Sequence, residues 1–190
     1  MRKSILLVLI IVLLTACSGN SNNPEEAGKL NIITGINLVD VTGTTNGVYG
    51  NPNVLRNDSG TNAKNRKDDE PISVSDIISS VFTVYPTIVE DVFSIGTSKK
   101  VKKLWIVKGV PTRDFQNIDF ESTLSNGMYT SKEIGDSAVE DIDLQTSGTP
   151  IINVSGYAKG FYRVFIETEE GEIYWENISI GYSEREANFW

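Results

Sequence analysis

The sequence predicts an all-β protein: an immunoglobulin-like antiparallel β-sandwich of about seven or eight short strands, preceded by a secretory leader and a flexible tether. Two observations carry the fold class. From Ile72 onward, short runs rich in Val, Ile, Phe, Tyr and Trp recur, and clusters of Gly, Pro, Asn or Ser separate most of them. Nowhere does a 3.6-residue apolar period extend beyond two helical turns. A third observation bounds the size. Without residues 1–16 the 190-residue chain keeps 174, enough for one domain that buries roughly 70% of its unfolded surface and needs no disulfide or metal to hold a core.

The leader comes first. Arg2 and Lys3 give a positive start, and Ile5 to Leu14 form an unbroken apolar run of ten residues. That is signal-peptide length, whereas a membrane-spanning helix needs roughly 20. The run ends in Leu14-Thr15-Ala16-Cys17, with small residues before a nucleophilic thiol. The stretch resembles the bacterial lipobox. The resemblance implies cleavage before Cys17, acylation of its sulfur and acylation of the new N-terminus. One acyl chain holds a protein marginally, at about 0.8 kcal/mol per buried methylene, so stable attachment takes two or more signals. An acylated Cys17 leaves no free thiol, which removes disulfides, Cys metal sites and Cys nucleophiles together.

Residues 17–29 (CSGNSNNPEEAGK) are small, polar and Pro-containing, a tether with nothing to bury. The sandwich is expected over 30–182. Leu30, Ile32, Ile36 and Leu38 alternate with Asn31 and Asn37, the period of a strand. Thr42 to Asn53 (TGTTNGVYGNPN) reads as turn chemistry. Arg56 to Pro71 reads as an exposed charged loop, and Ser73 to Ser80 as one helical turn or an irregular edge. Strands follow at Val81–Tyr85, Val92–Ile95, Val101–Val107, Val139–Leu144, Ile151–Val154, Phe161–Glu167 and Glu172–Ile180. The last two form a hairpin across Glu169-Glu170-Gly171, where glycine accepts the positive φ such loops need. Residues 183–190 form a tail, and its Phe189-Trp190 end is either disordered or folded back on the sheet.

Residues 82–180 resemble the C-terminal sorting domain of type IX secretion cargo from Bacteroidetes. That family shows a Y-P-N-P motif opening a strand, an apolar strand before a glycine turn, a strand of the form L-x-x-G-x-Y-x-V and a final hairpin. Tyr85-Pro86 matches the opening, Gly109 the first hairpin turn, and Gly160 and Tyr162 the third element. Thr87-Ile88 stand where the family carries Asn-Pro, and ten residues, Gly181–Trp190, follow the last strand. A sorting domain normally trails a larger cargo, which makes the sandwich itself the payload here.

Composition excludes several chemistries. The chain has no histidine, so His-based triads, imidazole general bases and His-ligated metals drop out. A net charge of −8 argues against nucleic acid and against docking on anionic headgroups, both of which need Lys and Arg. Asp141 and Asp143 project from one face of a strand and suit oxygen ligation of Ca²⁺ or a glycosidase carboxylate pair. Their spacing matches no calcium-loop pattern, and an acidic edge that discourages strand pairing is the favoured reading. Trp105, Tyr157, Tyr174, Trp175 and Trp190 suit either a sugar-stacking platform or a core, with Tyr174 and Trp175 on opposite faces so that one of them is expected at the surface. Ser137, in Asp136-Ser137-Ala138, resembles the O-glycosylation acceptor of Bacteroidetes and otherwise reads as a turn serine.

Together these readings describe a lipoprotein held in the outer membrane through Cys17, on the surface or periplasmic face. It carries a non-catalytic binding or scaffold module with no cofactor. Its partners are the membrane, through the lipid, and an envelope protein or glycan. The alternatives are a cargo or accessory of type IX secretion and a carbohydrate-binding or carbohydrate-active surface lipoprotein.

Overall fold

The computed structural model describes residues 30–52, 82–114, 129–146 and 148–190, and the chain folds there as an all-β sandwich with no closed barrel. The leader, the tether and the segments 56–71 and 73–80 lie outside the described residues. Eleven strands and two short helices are present among the described residues. The strands are β1 (Ile32–Ile33), β2 (Gly35–Val39), β3 (Thr45–Gly50), β4 (Phe82–Tyr85), β5 (Ile88–Val89), β6 (Val92–Thr97), β7 (Val101–Pro111), β8 (Ala138–Thr146), β9 (Ile151–Asn153), β10 (Gly160–Thr168) and β11 (Ile173–Ile180). The helices are α1 (Ser131–Ser137) and α2 (Glu184–Ala187).

The main sheet runs β1-β7-β10-β11-β5, with β8 added on β7. A three-stranded sheet, β4-β6-β9, packs against it, and β2-β3 form a separate hairpin. The β-rich runs that the sequence marks all become strands, but the sheet is not purely antiparallel. The two-residue strands β1 and β5 pair parallel with β7 and β11. β5 is too short to leave an alternation in the sequence, whereas β1 falls inside the alternating run from Leu30, which the structure divides at Thr34 into β1 and β2.

Two apolar layers explain which residues form the centre. Leu104, Ile106, Tyr162, Val164, Ile166, Ile178 and Ile180 on one face of the main sheet meet Phe82, Val84, Phe93, Ile95 and Ile152 of the smaller sheet. Burying each of these large side chains stabilises the fold by about 1.5–3 kcal/mol. The opposite face carries Trp105, Val107, Phe165 and Trp175, covered by Ile134 of α1 with Leu30 and Tyr129. Both faces of β10 and β11 are therefore buried, which corrects the expectation for Tyr174 and Trp175: the former is 8% exposed and the latter 2%.

Three further corrections concern local structure. Thr45–Gly50 is a strand and not part of a turn; its exposed surface imposes no apolar alternation, so its Gly and Asn content masked it. The turn proper is organised by Asp40, whose Oδ1 accepts from Thr42 N (2.8 Å), Thr42 Oγ1 (2.6 Å) and Thr44 N (3.1 Å). Gly109 is no hairpin turn: it lies inside β7, opposite Phe161, and a Cβ there would meet Ile33 Cδ1 at 2.1 Å. The glycine is there to let β1 close on the sheet. Finally, Ser131–Ser137 is helical, started by a capping box in which Thr130 and Glu133 bond each other's backbone.

Candidate functional site

The lipidation residues Leu14, Thr15, Ala16 and Cys17 lie outside the described residues, so the geometry bears on the folded body alone. There the family-motif residues are brought to two places. Tyr85 and Pro86, joined by a cis peptide bond, end β4. Gly160 opens β10, and Tyr162 is buried, its hydroxyl donating to the Ala158 carbonyl at 2.7 Å. Tyr162 joins the sandwich core through its ring, whereas Tyr85 and Pro86 are half-buried.

Thr87, where the sequence departs from the motif, is a buried junction that sequence reasoning missed. Its hydroxyl donates to Asn37 O (2.5 Å) and accepts from Val39 N (3.0 Å). Its amide bonds Val39 O (3.0 Å) and its carbonyl accepts from Ser179 N (2.8 Å), so one residue joins β2 to β11. Beside it, Asn37 donates to the Glu176 carboxylate at 3.1 Å, and Asn177 bridges from the Gly35 carbonyl (2.9 Å) to Arg163 Nε (2.9 Å). Arg163 is fully buried. Its guanidinium lies 4.1 Å from the Trp175 ring centroid and donates to the Ile32 and Leu30 carbonyls.

Asp141 and Asp143 do share a face of β8, the strand added outside β7. Lys103 occupies the space between them, with Nζ 2.9 Å from Asp141 Oδ1 and 3.8 Å from Asp143 Oδ1. Both carboxylates are partly or well exposed, and the Lys103 ammonium is held above its usual pKa by its hydrogen bond to Asp141. Among the described residues no group of three or more acidic or thiol side chains is arranged to hold a metal ion. One ammonium against two carboxylates offsets half of their charge.

The five aromatic residues do not form one platform. Trp105 and Trp175 lie in the layer under α1, and Tyr174 lies in the sandwich core. Tyr157 sits edge-on to Tyr162, at 5.8 Å, and donates to Glu140 Oε2 at 3.0 Å. Burial and that carboxylate push its phenol well above the ordinary value. Ser137 is exposed at the C-terminal end of α1.

The fifth aromatic belongs to a different arrangement. Residues 183–190 fold back on the body. Trp190 meets Phe161 edge-on at 5.4 Å, and its Nε1 donates to the Thr112 carbonyl at 2.6 Å. Arg113 donates through Nε (2.9 Å) and Nη2 (2.7 Å) to the Phe189 carbonyl and covers the Phe189 ring at 5.0 Å. Lys159 pairs with Glu186 at 2.7 Å, and Tyr49 donates to Glu184 at 3.2 Å. Gly50, with φ +65°, leaves the space the indole fills: a Cβ there would lie 2.6 Å from Trp190 Cγ.

Comparison with protein-family models, curated proteins and solved structures finds no match to this chain.

Proposed function

We propose that the protein is a lipid-anchored envelope protein, held in an outer membrane through Cys17, whose β-sandwich is a non-catalytic binding or scaffold module. The single observation that carries this reading is the register of Arg2-Lys3, the ten-residue apolar run and Leu14-Thr15-Ala16-Cys17. Two features of the folded body support the non-catalytic part. The chain has no histidine, and the carboxylate pair Asp141–Asp143 is engaged by the Lys103 ammonium. Among the described residues no helix is long and apolar enough to cross a membrane.

Labelled palmitate tests it in growing cells. Label is expected on the wild-type chain and absent from Cys17→Ser; label that persists in the variant overturns the acylation site. Protease shaving of intact cells then assigns the face, digestion meaning the surface and resistance the periplasm.

Cargo of a type IX system is the second reading, favoured by the order of Tyr85-Pro86, Gly160 and Tyr162 along the chain. Removing Phe161–Trp190 is not a fair test of it, because β10 and β11 are the middle of the main sheet. Exporting a full chain with Tyr85→Ala is fair: unchanged surface delivery counts against cargo recognition through that motif.

A further inference from the structure

The smaller sheet has two faces of opposite character. Its inner face sends Phe82, Val84, Phe93, Ile95 and Ile152 into the core. Alternation turns the residues between them outward, and the register gathers these into one patch. Thr83 lies opposite Gly96, Tyr85 and Ile151 flank Ser94, and Val92 lies opposite Asn153. Val92 is 46% exposed and Ile151 69%. The patch spans two strand spacings, about 10 Å.

None of the outward positions of β4, β6 and β9 carries a charge. Elsewhere the chain, with a net charge of −8, edges its main sheet with the ion pairs Lys99–Glu172, Lys100–Glu169, Lys102–Glu167 and Lys103–Asp141. A patch without charge suits a partner without charge. Tyr85 is its aromatic centre. The atoms nearest a Cβ at Gly96 would be Thr83 Cγ2, at 3.0 Å, and Tyr85 Cε1, at 3.3 Å, so the bare glycine lets the ring lean across β6. Half-buried there, the ring has the hydroxyls of Thr83 and Ser94 on neighbouring positions, with Asn153 farther along the patch. Interfaces between proteins are enriched in Arg and depleted in Ser, the reverse of this composition. A ring set among short hydroxyl and amide side chains suits a sugar, whose C–H face stacks on the aromatic while its hydroxyls exchange hydrogen bonds.

We propose that the outer face of β4, β6 and β9 binds a neutral oligosaccharide, with Tyr85 as the stacking residue. The proposal rests on the reading of the sandwich as a binding module and names the face and the ligand class. It is independent of acylation, so a failure of sugar binding leaves the palmitate result untouched, and the reverse. Binding is read on purified protein, which separates it from the export test of Tyr85.

The test runs the full chain, in mild detergent, through native gels cast with a β-glucan, a galactomannan or a starch, and compares its mobility with that in plain gels. Wild type is expected to be retarded by at least one of these neutral polysaccharides. Tyr85→Ala should weaken the retardation about tenfold, the scale of one lost aromatic contact. Ile151→Glu places a charge on the face from an exposed position on a three-residue edge strand, so the fold stays intact and the retardation should vanish. If Tyr85→Ala does not fold, Ile151→Glu decides alone. Retardation by none of the three, or retardation unchanged in Ile151→Glu, overturns the proposal. A wild-type dimer that Ile151→Glu splits, read by sedimentation and without any retardation, makes the face a protein interface; that result keeps the binding module and overturns the sugar.

Discussion

At the scale of single residues, two glycines inside regular elements make opposite demands on a test. Gly109 is a matter of space. A methyl group there would be forced onto Ile33, so Gly109→Ala should cost about 1–3 kcal/mol, the usual penalty of overpacking. Chemical denaturation measures it, and Ile33→Ala introduced together with Gly109→Ala should recover part of the loss. Gly135 is the reverse case. It lies inside α1 with room for a Cβ at 3.6 Å from Trp105 Nε1, so Gly135→Ala should stabilise by about 0.5–1 kcal/mol. Charge belongs to this scale too. The Lys159 ammonium, followed by the Ser183 donors, lowers the Glu186 pKa from 4.5 to about 2, and the Thr42 hydroxyl leads the donors that bring Asp40 to about 2. Both are depressed, so their contribution is complete above the ordinary carboxylate range and lost as pH falls towards 2. Tail and β2–β3 turn should hold at pH 5 and loosen together near pH 2, seen as rising hydrogen exchange at residues 184–190 and 41–44.

At the scale of elements, legibility in the sequence followed burial. β10 and β11 were plain because long runs of Val, Ile, Phe, Tyr and Trp leave few alternatives. β5 and β3 were not, nor was the division of the run from Leu30 into β1 and β2: β5 is two residues long, and β3 is held by pairing with β2 while facing water. The hairpin turn at Gly171 was visible, with φ +82°, because turn chemistry is local. The role of Thr87 was not, because its partners are about fifty and ninety residues distant along the chain. Thr87→Val keeps the shape but leaves the buried Val39 amide without its hydroxyl acceptor and Asn37 O without its donor. A loss of about 1–3 kcal/mol is expected, read from the shift of the urea midpoint.

At the scale of the whole molecule, Arg163 sets the relation between the N-terminal strands and the centre of the main sheet. Its bonds reach the carbonyls of Leu30 and Ile32, more than 130 residues upstream, and Asn177 on the adjacent strand. A lysine cannot reproduce the planar fork or the stacking on Trp175. Arg163→Lys should therefore lower stability by roughly 3 kcal/mol, the scale of one or two charged hydrogen bonds, and its melting curve should show the loss. Alternation along β10 puts Arg163 on the face opposite Tyr162, Val164 and Ile166. Only the layer over Trp175 makes that side an interior, and a single sequence does not reveal which segment covers which face.

The order of strands has a consequence for how the molecule is made. The last two strands of the chain occupy the middle of the sheet, flanked by β7 on one side and the short β5 on the other. A ribosome or translocation pore that has released only the first 150 residues has delivered borders without a centre, and contacts this remote in sequence form slowly. Such a polypeptide cannot complete its main sheet until β10 and β11 emerge.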